Sequence, residues 1–252
     1  MPMPRWWNRK RFDLVEAALG LLLTAAIVFA ATRPALPVEH ETAEALHQKY
    51  GPTRSSEGFE EWIVRDFFAD RRNGFFLDVG ANHHQRSSNT FYLETVLGWE
   101  GIAVEPLVQF EAGYLEARPR TKFRPFFAAS RSNEQARMYL QENRSLVTSS
   151  NRSFTERWGK DVKEIQVPTI TLDDLLASEG VTKVDFLSMD IELAEPEALA
   201  GFDIKRFAPG LVCIEAHPEV RQAILQYFAR HGYVIVGKYL RIDTRNLYFT
   251  PG

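Results

Sequence analysis

From Gly74 to the C-terminus, short apolar runs alternate with helical patterns, and this alternation leaves the chain very few folds. The runs GFFLDVG, GIAVEP, KFRPFFAAS, ARMYL, VPTIT, VDFLSMDIE and GLVCIEA read as strands. Among them the spacing predicts helices from about Ser88 to Leu97 and through FEAGYLEA, LDDLLASEG, PEALAG and PEVRQAILQYFARHG. Apolar strands separated by amphipathic helices are buried on both faces. The pattern therefore predicts an α/β fold with a doubly wound, mostly parallel sheet. The last two runs, YVIVGKYL and NLYFTP, have no helix between them and predict an antiparallel hairpin at one edge. No internal repeat interrupts this plan.

In such a sheet, ligands bind beyond the carboxyl ends of the strands. Here those ends carry Asp78, Glu105, the pair Asp190 and Glu192, and then Glu215 with His217. One strand-end acid commonly caps the next helix; four strand ends converging on one edge point to a site. The spacing from Gly80 to Glu105 fits an acid that holds the ribose hydroxyls of a nucleoside. The turn Gly80-Ala81-Asn82 bends the backbone beside it. His217 has the intrinsic pKa of a general base, with Asp190 or Glu192 to orient it or to act in its place. Alternatively, His217 beside Pro218 starts the following helix. Cys213, the single cysteine, reads as strand packing.

The N-terminal third is different. Residues 1–11 form a basic tail with Arg5, Arg9, Lys10 and Arg11 beside Trp6 and Trp7, and Leu14 to Ala31 is an apolar segment. That length just crosses a hydrocarbon core as a helix, and the flanks suit a headgroup zone. An uncleaved transmembrane anchor over residues 12–32 is the preferred reading over a secretory signal cleaved near VFA. The expectation is a single-pass membrane protein, the side of its catalytic domain left open. Residues 33–56 read as a stem with a short helix, and 57–252 as the domain. In EGFEEWIVRDFF, the stripe Phe59, Trp62, Ile63 and Phe67 predicts a helix packed on the edge of that domain. A net charge of −3 argues against a nucleic-acid partner.

The stretch FFLDVGANHHQRSSNTFYLETVLGWEGIAVEP, followed by VPTITLDDLL, VDFLSMDIELAEPEALAGFD and GLVCIEAHP, resembles the FkbM family of methyltransferases over roughly Glu57 to the C-terminus. The resemblance implies a class I methyltransferase fold with S-adenosylmethionine as donor. It implies an acceptor hydroxyl on a sugar, a lipid-linked molecule or another small molecule. By the same resemblance Asp78, Gly80 and Asn82 lie in the cofactor turn, and Ser88, Asn89 and Thr90 match the family's SNT. Glu105 holds the ribose, and Asp190 and Glu192 face the methyl-transfer centre. Two positions depart from the family, which commonly has glycine where this chain has His84 and Leu193. A side chain at 84 either protrudes into the cofactor pocket or tilts aside. His83 and His84 are not read as a metal site, because neighbouring side chains on an extended segment diverge and no third ligand is spaced to join them. No metal is expected.

The polar interval QENRSLVTSSNRSFTERWGKDVKE is long for a plain connection. It reads either as a lid over the acceptor, with Phe154 and Trp158 as an apolar or sugar-stacking surface, or as a surface loop with a short helix. Asn143 and Asn151 each begin an NRS sequon, of consequence only in a secretory lumen. The leading expectation is a membrane-anchored O-methyltransferase. The rivals are an impaired methyltransferase fold serving as a binding or scaffolding subunit with a protein partner, and a nicotinamide-dependent oxidoreductase, which the lack of G-x-G-x-x-G weakens.

Overall fold

The run GFFLDVG becomes strand β1 (Phe75–Val79), whose alternation turns Phe76 to one side and Leu77 and Val79 to the other. Our computed structural model describes residues 41–252. The expected basic tail, the anchor and the start of the stem lie outside the described residues. Among the described residues no helix is long and apolar enough to cross a membrane.

β1 sits inside a seven-stranded sheet. β2 (Glu100–Val104) and β3 (Thr121–Arg124) follow on one side, β8 (Phe186–Met189) and β9 (Leu211–Glu215) on the other, all parallel to β1. Beyond β9 come β11 (Asn246–Pro251) and then β10 (Tyr233–Ile235). The expected hairpin is present, but it does not simply extend the edge. β11 inserts between β9 and β10 and runs antiparallel to both, so the edge strand β10 is parallel to the rest. The run YVIVGKYL is shorter as a strand than expected, because the chain turns at Gly237–Tyr239 to come back.

Both faces are covered. On one, Leu77, Val104, Leu187 and Ile214 pack against Leu175 and Leu176 of the helix Leu172–Ser178 and Ile224 and Phe228 of the helix Pro218–Arg230. On the other, Phe76, Phe186, Cys213 and Tyr248 meet Trp62, Ile63 and Val64 of the helix Glu60–Phe68. That helix was expected at the domain edge. It lies instead over the sheet face near β9, with Trp62, Ile63 and Val64 buried and Phe59 and Phe67 only half-buried. The helix Ala43–Tyr50, in the expected stem, adds Leu46 to the same core, so the packed unit reaches back past Glu57. Cys213 is buried there as strand packing.

A second, four-stranded sheet carries the order β4–β7–β5–β6, where β4 is Phe127–Ala128, β5 Gln135–Gln141, β6 Arg144–Ser149 and β7 Lys163–Ile170. The run KFRPFFAAS, expected as one strand, is split between the two sheets at Pro125, which has no N–H to donate to a ladder. The polar interval holds the short helix of the surface-loop reading, but it also forms a strand. Its first half is β6, antiparallel to β5, and its second half is the short helix Arg152–Thr155. Thr155 Oγ1 donates to Tyr139 O (3.1 Å) and Val147 O (3.2 Å), while Gln141 Nε2 donates to Thr155 O (2.9 Å) and Gly159 O (2.8 Å). Those bonds make the interval an ordered wall.

Candidate active site

The carboxyl ends of β1, β2, β8 and β9 open into one cleft of about 700 Å³. Asp78, Gly80, Asn82 and Glu105 line it at the β1–β2 end, and Asp190, Glu192, Glu215 and His217 at the β8–β9 end. Ser145 and Leu146 of β6, with Phe154 and Trp158, supply a further wall.

At the β1 end, Gly80 has φ +84°, and a Cβ there would come within 1.8 Å of Asp190 O. The two neighbouring strand ends therefore approach closely only because this residue is glycine. Asn82, itself at φ +46°, donates its N–H to Glu105 Oε2 (3.0 Å), and Leu107 N–H donates to Glu105 Oε1 (2.9 Å). The Glu105 carboxyl is thus aimed by two backbone donors and keeps further lone pairs for a ligand. Burial pushes it up to about 7, against those two donors. Ser145 Oγ, from β6, donates to Asn82 Oδ1 (3.2 Å) and ties the second sheet to this turn.

The SNT segment divides. Asn89 lines the cleft and donates from Nδ2 to Ser188 Oγ (3.0 Å). Ser88 and Thr90, expected at the cofactor, lie buried behind the wall. Thr90 Oγ1 donates to Asp78 Oδ2 (2.7 Å), and burial raises the Asp78 carboxyl. Behind them sits Arg118, fully buried, which pairs with Glu94 and donates to His84 O (2.8 Å), Thr90 O (3.2 Å), Thr90 Oγ1 (3.1 Å) and Thr121 Oγ1 (3.2 Å). Sequence reading misses Arg118, because an arginine in ARPRT at a helix end carries the pattern of a solvated residue.

The two departures from the family resolve differently. His84 does not line the cleft, whereas His83 does. The His84 ring sits over Gly113 of the helix Glu111–Ala117, where a Cβ would lie 2.2 Å from Nδ1. The expectation that the two histidine side chains diverge is overturned: their rings stack with centroids 4.2 Å apart at 25°. The segment is bent rather than extended, with His83 Nδ1 accepting from Gln85 N and Arg86 N at 3.1 Å each. Leu193 holds φ +79° and Glu192 φ +53°, so the glycine-favouring geometry after β8 persists without a glycine.

At the β8–β9 end, His217 Nε2 lies 3.1 Å from Glu192 Oε2 and 3.0 Å from Glu215 Oε2. Asp190 stands beside them, and Phe154 meets the His217 ring edge-on at 5.2 Å. Burial, then the mutual repulsion of these carboxylates, pushes Asp190 and Glu192 well up. Glu195 accepts from Ile191 N (3.0 Å) and is raised by burial to about 7. Asn143 lies at the cleft wall, and Asn151 caps the helix Arg152–Thr155 by accepting from Phe154 N (3.1 Å). The arrangement puts a backbone-aimed carboxyl at one end of the cavity and an acid–histidine cluster at the other.

Comparison with known proteins agrees with the motifs. Residues 78–235, more than half of the chain, match the family described as the methyltransferase FkbM domain. No curated protein matches the chain. Among solved structures it is similar to a precorrin-6y C5,15-methyltransferase from Geobacter metallireducens GS-15, at 11% identity and TM-score 0.41, covering 84% of this chain and 93% of that one. It is also similar to the Burkholderia thailandensis 1,6-didemethyltoxoflavin-N1-methyltransferase with bound 1,6-didemethyltoxoflavin and S-adenosylhomocysteine, at 12% identity and TM-score 0.38, covering 99% and 90%. Both likenesses are too remote to place a ligand in this chain.

Proposed function

The chain belongs to the FkbM methyltransferase family, and from that premise we propose that it moves a methyl group from S-adenosylmethionine to a hydroxyl of a sugar, glycolipid or other small molecule. One observation carries this reading: a single cleft joins the backbone-aimed Glu105 carboxyl to the cluster of Asp190, Glu192, Glu215 and His217. The residues present fit the cofactor, since Glu105 retains acceptor capacity toward a vicinal diol and the Gly80 turn keeps the adjoining wall free of a side chain. When bound, the cofactor supplies an electrophilic methyl on a sulfonium. Asp78, held by Thr90, and Asn89, held by Ser188, line the wall beside Gly80. At the other end, the acid–histidine cluster takes the proton of the acceptor hydroxyl, which is a poor nucleophile while it keeps it. Positioning the acceptor oxygen in line with the methyl is the larger part of the work. Leu146, Phe154 and Trp158 offer an apolar surface for the rest of the acceptor.

His84 does not enter the cleft, so the scaffold reading loses that support. Calorimetry with S-adenosylhomocysteine tests the reading. Glu105→Ala should weaken binding about 10- to 100-fold, as one charged hydrogen-bonding partner is worth about 1.5–3 kcal/mol. Unchanged affinity, or no binding by the unaltered chain, overturns it.

The apolar segment Leu14 to Ala31 and its basic flank support a membrane anchor for this enzyme, with no nucleic-acid partner. The full chain should remain in the pellet after carbonate washing of membranes. Recovery of uncleaved protein in the supernatant counts against the anchor.

A further inference from the structure

We propose that Glu192, Glu215 and His217 hold a divalent cation of the magnesium–manganese class at the β8–β9 end of the cleft. The inference rests on the methyltransferase reading of that site and adds a component to it. One ligand atom from each of the three residues lies within 4.8 Å of the others. His217 Nε2 stands 3.0 Å from Glu215 Oε2 and 3.1 Å from Glu192 Oε2. Adjacent vertices of an octahedron with metal–ligand distances of about 2.1 Å are separated by about 3.0 Å. The two histidine–carboxylate spacings are those of neighbouring ligands on one ion.

Hydrogen bonding from the histidine alone does not account for it. The imidazole Nε2 carries at most one proton, and two carboxylate oxygens compete for it. It is placed to bond Glu192 Oε2, while Glu215 Oε2 is buried with no hydrogen-bond partner. Glu215 as a whole is only 9% exposed, and that oxygen is the one aimed at His217. Among the described residues neither Glu192 nor Glu215 pairs with a lysine or arginine. Arg245, which also lines the cleft, is engaged with Glu57 at 3.0 Å and Glu60 at 3.4 Å. Asp190 adds a further carboxyl beside the three. A buried acid of this kind keeps its proton unless a cation pairs with it.

The donor set selects the class of ion. Two carboxylate oxygens and one imidazole suit an oxygen-preferring cation, whereas a zinc centre would draw on more nitrogen or sulfur. Three protein ligands leave open positions toward the cleft for water and for an acceptor hydroxyl, whose pKa a bound cation lowers. His217 would then hold the cation, and a neighbouring carboxylate would receive the proton.

Manganese(II) is the probe, titrated into the EDTA-stripped full chain and followed by electron paramagnetic resonance of the free ion. One Mn²⁺ per chain is expected, with affinity falling at least tenfold in both Glu215→Gln and Glu192→Gln. Each substitution removes a carboxylate ligand while keeping shape, and unfolding curves in EDTA establish that the variants fold. No bound Mn²⁺ at millimolar concentration, or binding untouched by both substitutions, overturns the proposal. Calorimetry with S-adenosylhomocysteine in EDTA separates the two readings. Binding there without any Mn²⁺ site leaves the methyltransferase reading standing and sinks the cation. A Mn²⁺ site without cofactor binding does the reverse.

Discussion

His84 and Gly113 form a complementary pair. A histidine replaces the family's glycine in the turn after β1, and a glycine in the facing helix makes room for its ring, which a Cβ at 113 would approach to 2.2 Å. His84→Gly is therefore expected to leave cofactor affinity unchanged and to lower stability, through lost stacking on His83 and added chain entropy. Gly113→Ala is the sharper test. By helix propensity alone alanine gains about 1 kcal/mol over glycine, but with His84 present the clash should turn this into a loss of about 1–2 kcal/mol. In a His84→Ala background the same substitution should become stabilising. Urea unfolding of the four proteins gives the coupling, and additive effects would mean that the two residues do not share space. At Leu193 the φ of +79° is strain left in the turn.

At the scale of elements, the SNT segment is held in place from behind. Arg118 joins the end of the helix Glu111–Ala117 to Glu94 of the helix Phe91–Thr95, to Thr121 of β3 and to the carbonyls of His84 and Thr90. Removing one partner of a buried pair strands the other, which typically costs about 3–5 kcal/mol. Arg118→Met should lose stability of that order in denaturant unfolding. It should also weaken S-adenosylhomocysteine binding, because Thr90 would no longer be held against Asp78. Full stability in the variant would mean that the network is not structural. Nothing in the sequence marks this element of the site. The strands are different: their apolar runs are legible because both faces are buried, and Asp78, Glu105 and Asp190 are legible because they end those runs. β6 was not legible, since RSLVTS holds only two apolar residues, adjacent to each other, and so shows no period-two alternation. The insertion of β11 was not either, because strand order depends on tertiary packing that periodicity does not encode.

The whole molecule carries opposing titrations, and their signs set where it is most stable. Asp66 would be raised by burial, but hydrogen bonds from Lys238, Lys49 and Tyr239 outweigh this and hold it at about 2. Its contribution is present above the unfolded value of about 3.9 and is lost as pH falls through the folded one. Glu105 and Glu195 act the other way, each raised by burial to about 7. Below about pH 4.3 they are protonated in both states and cost nothing. Between roughly 4.3 and 7 the unfolded chain ionises while the folded one retains the protons, so stability falls as pH rises, and above 7 the loss is complete. Unfolding midpoints measured in EDTA should therefore peak near pH 4–5 and decline toward 7.5. Glu105→Gln should flatten that decline, the slope being the readout since the amide also alters the bonds from Asn82 and Leu107. Affinity for S-adenosylhomocysteine should run in the opposite direction, rising with pH through about 7. An ionised Glu105 accepts from both ribose hydroxyls, and binding then releases its proton. A midpoint that climbs from pH 5 to 7.5, or an affinity flat across that range, would mean that Glu105 is ionised throughout and that its burial does not govern the cleft.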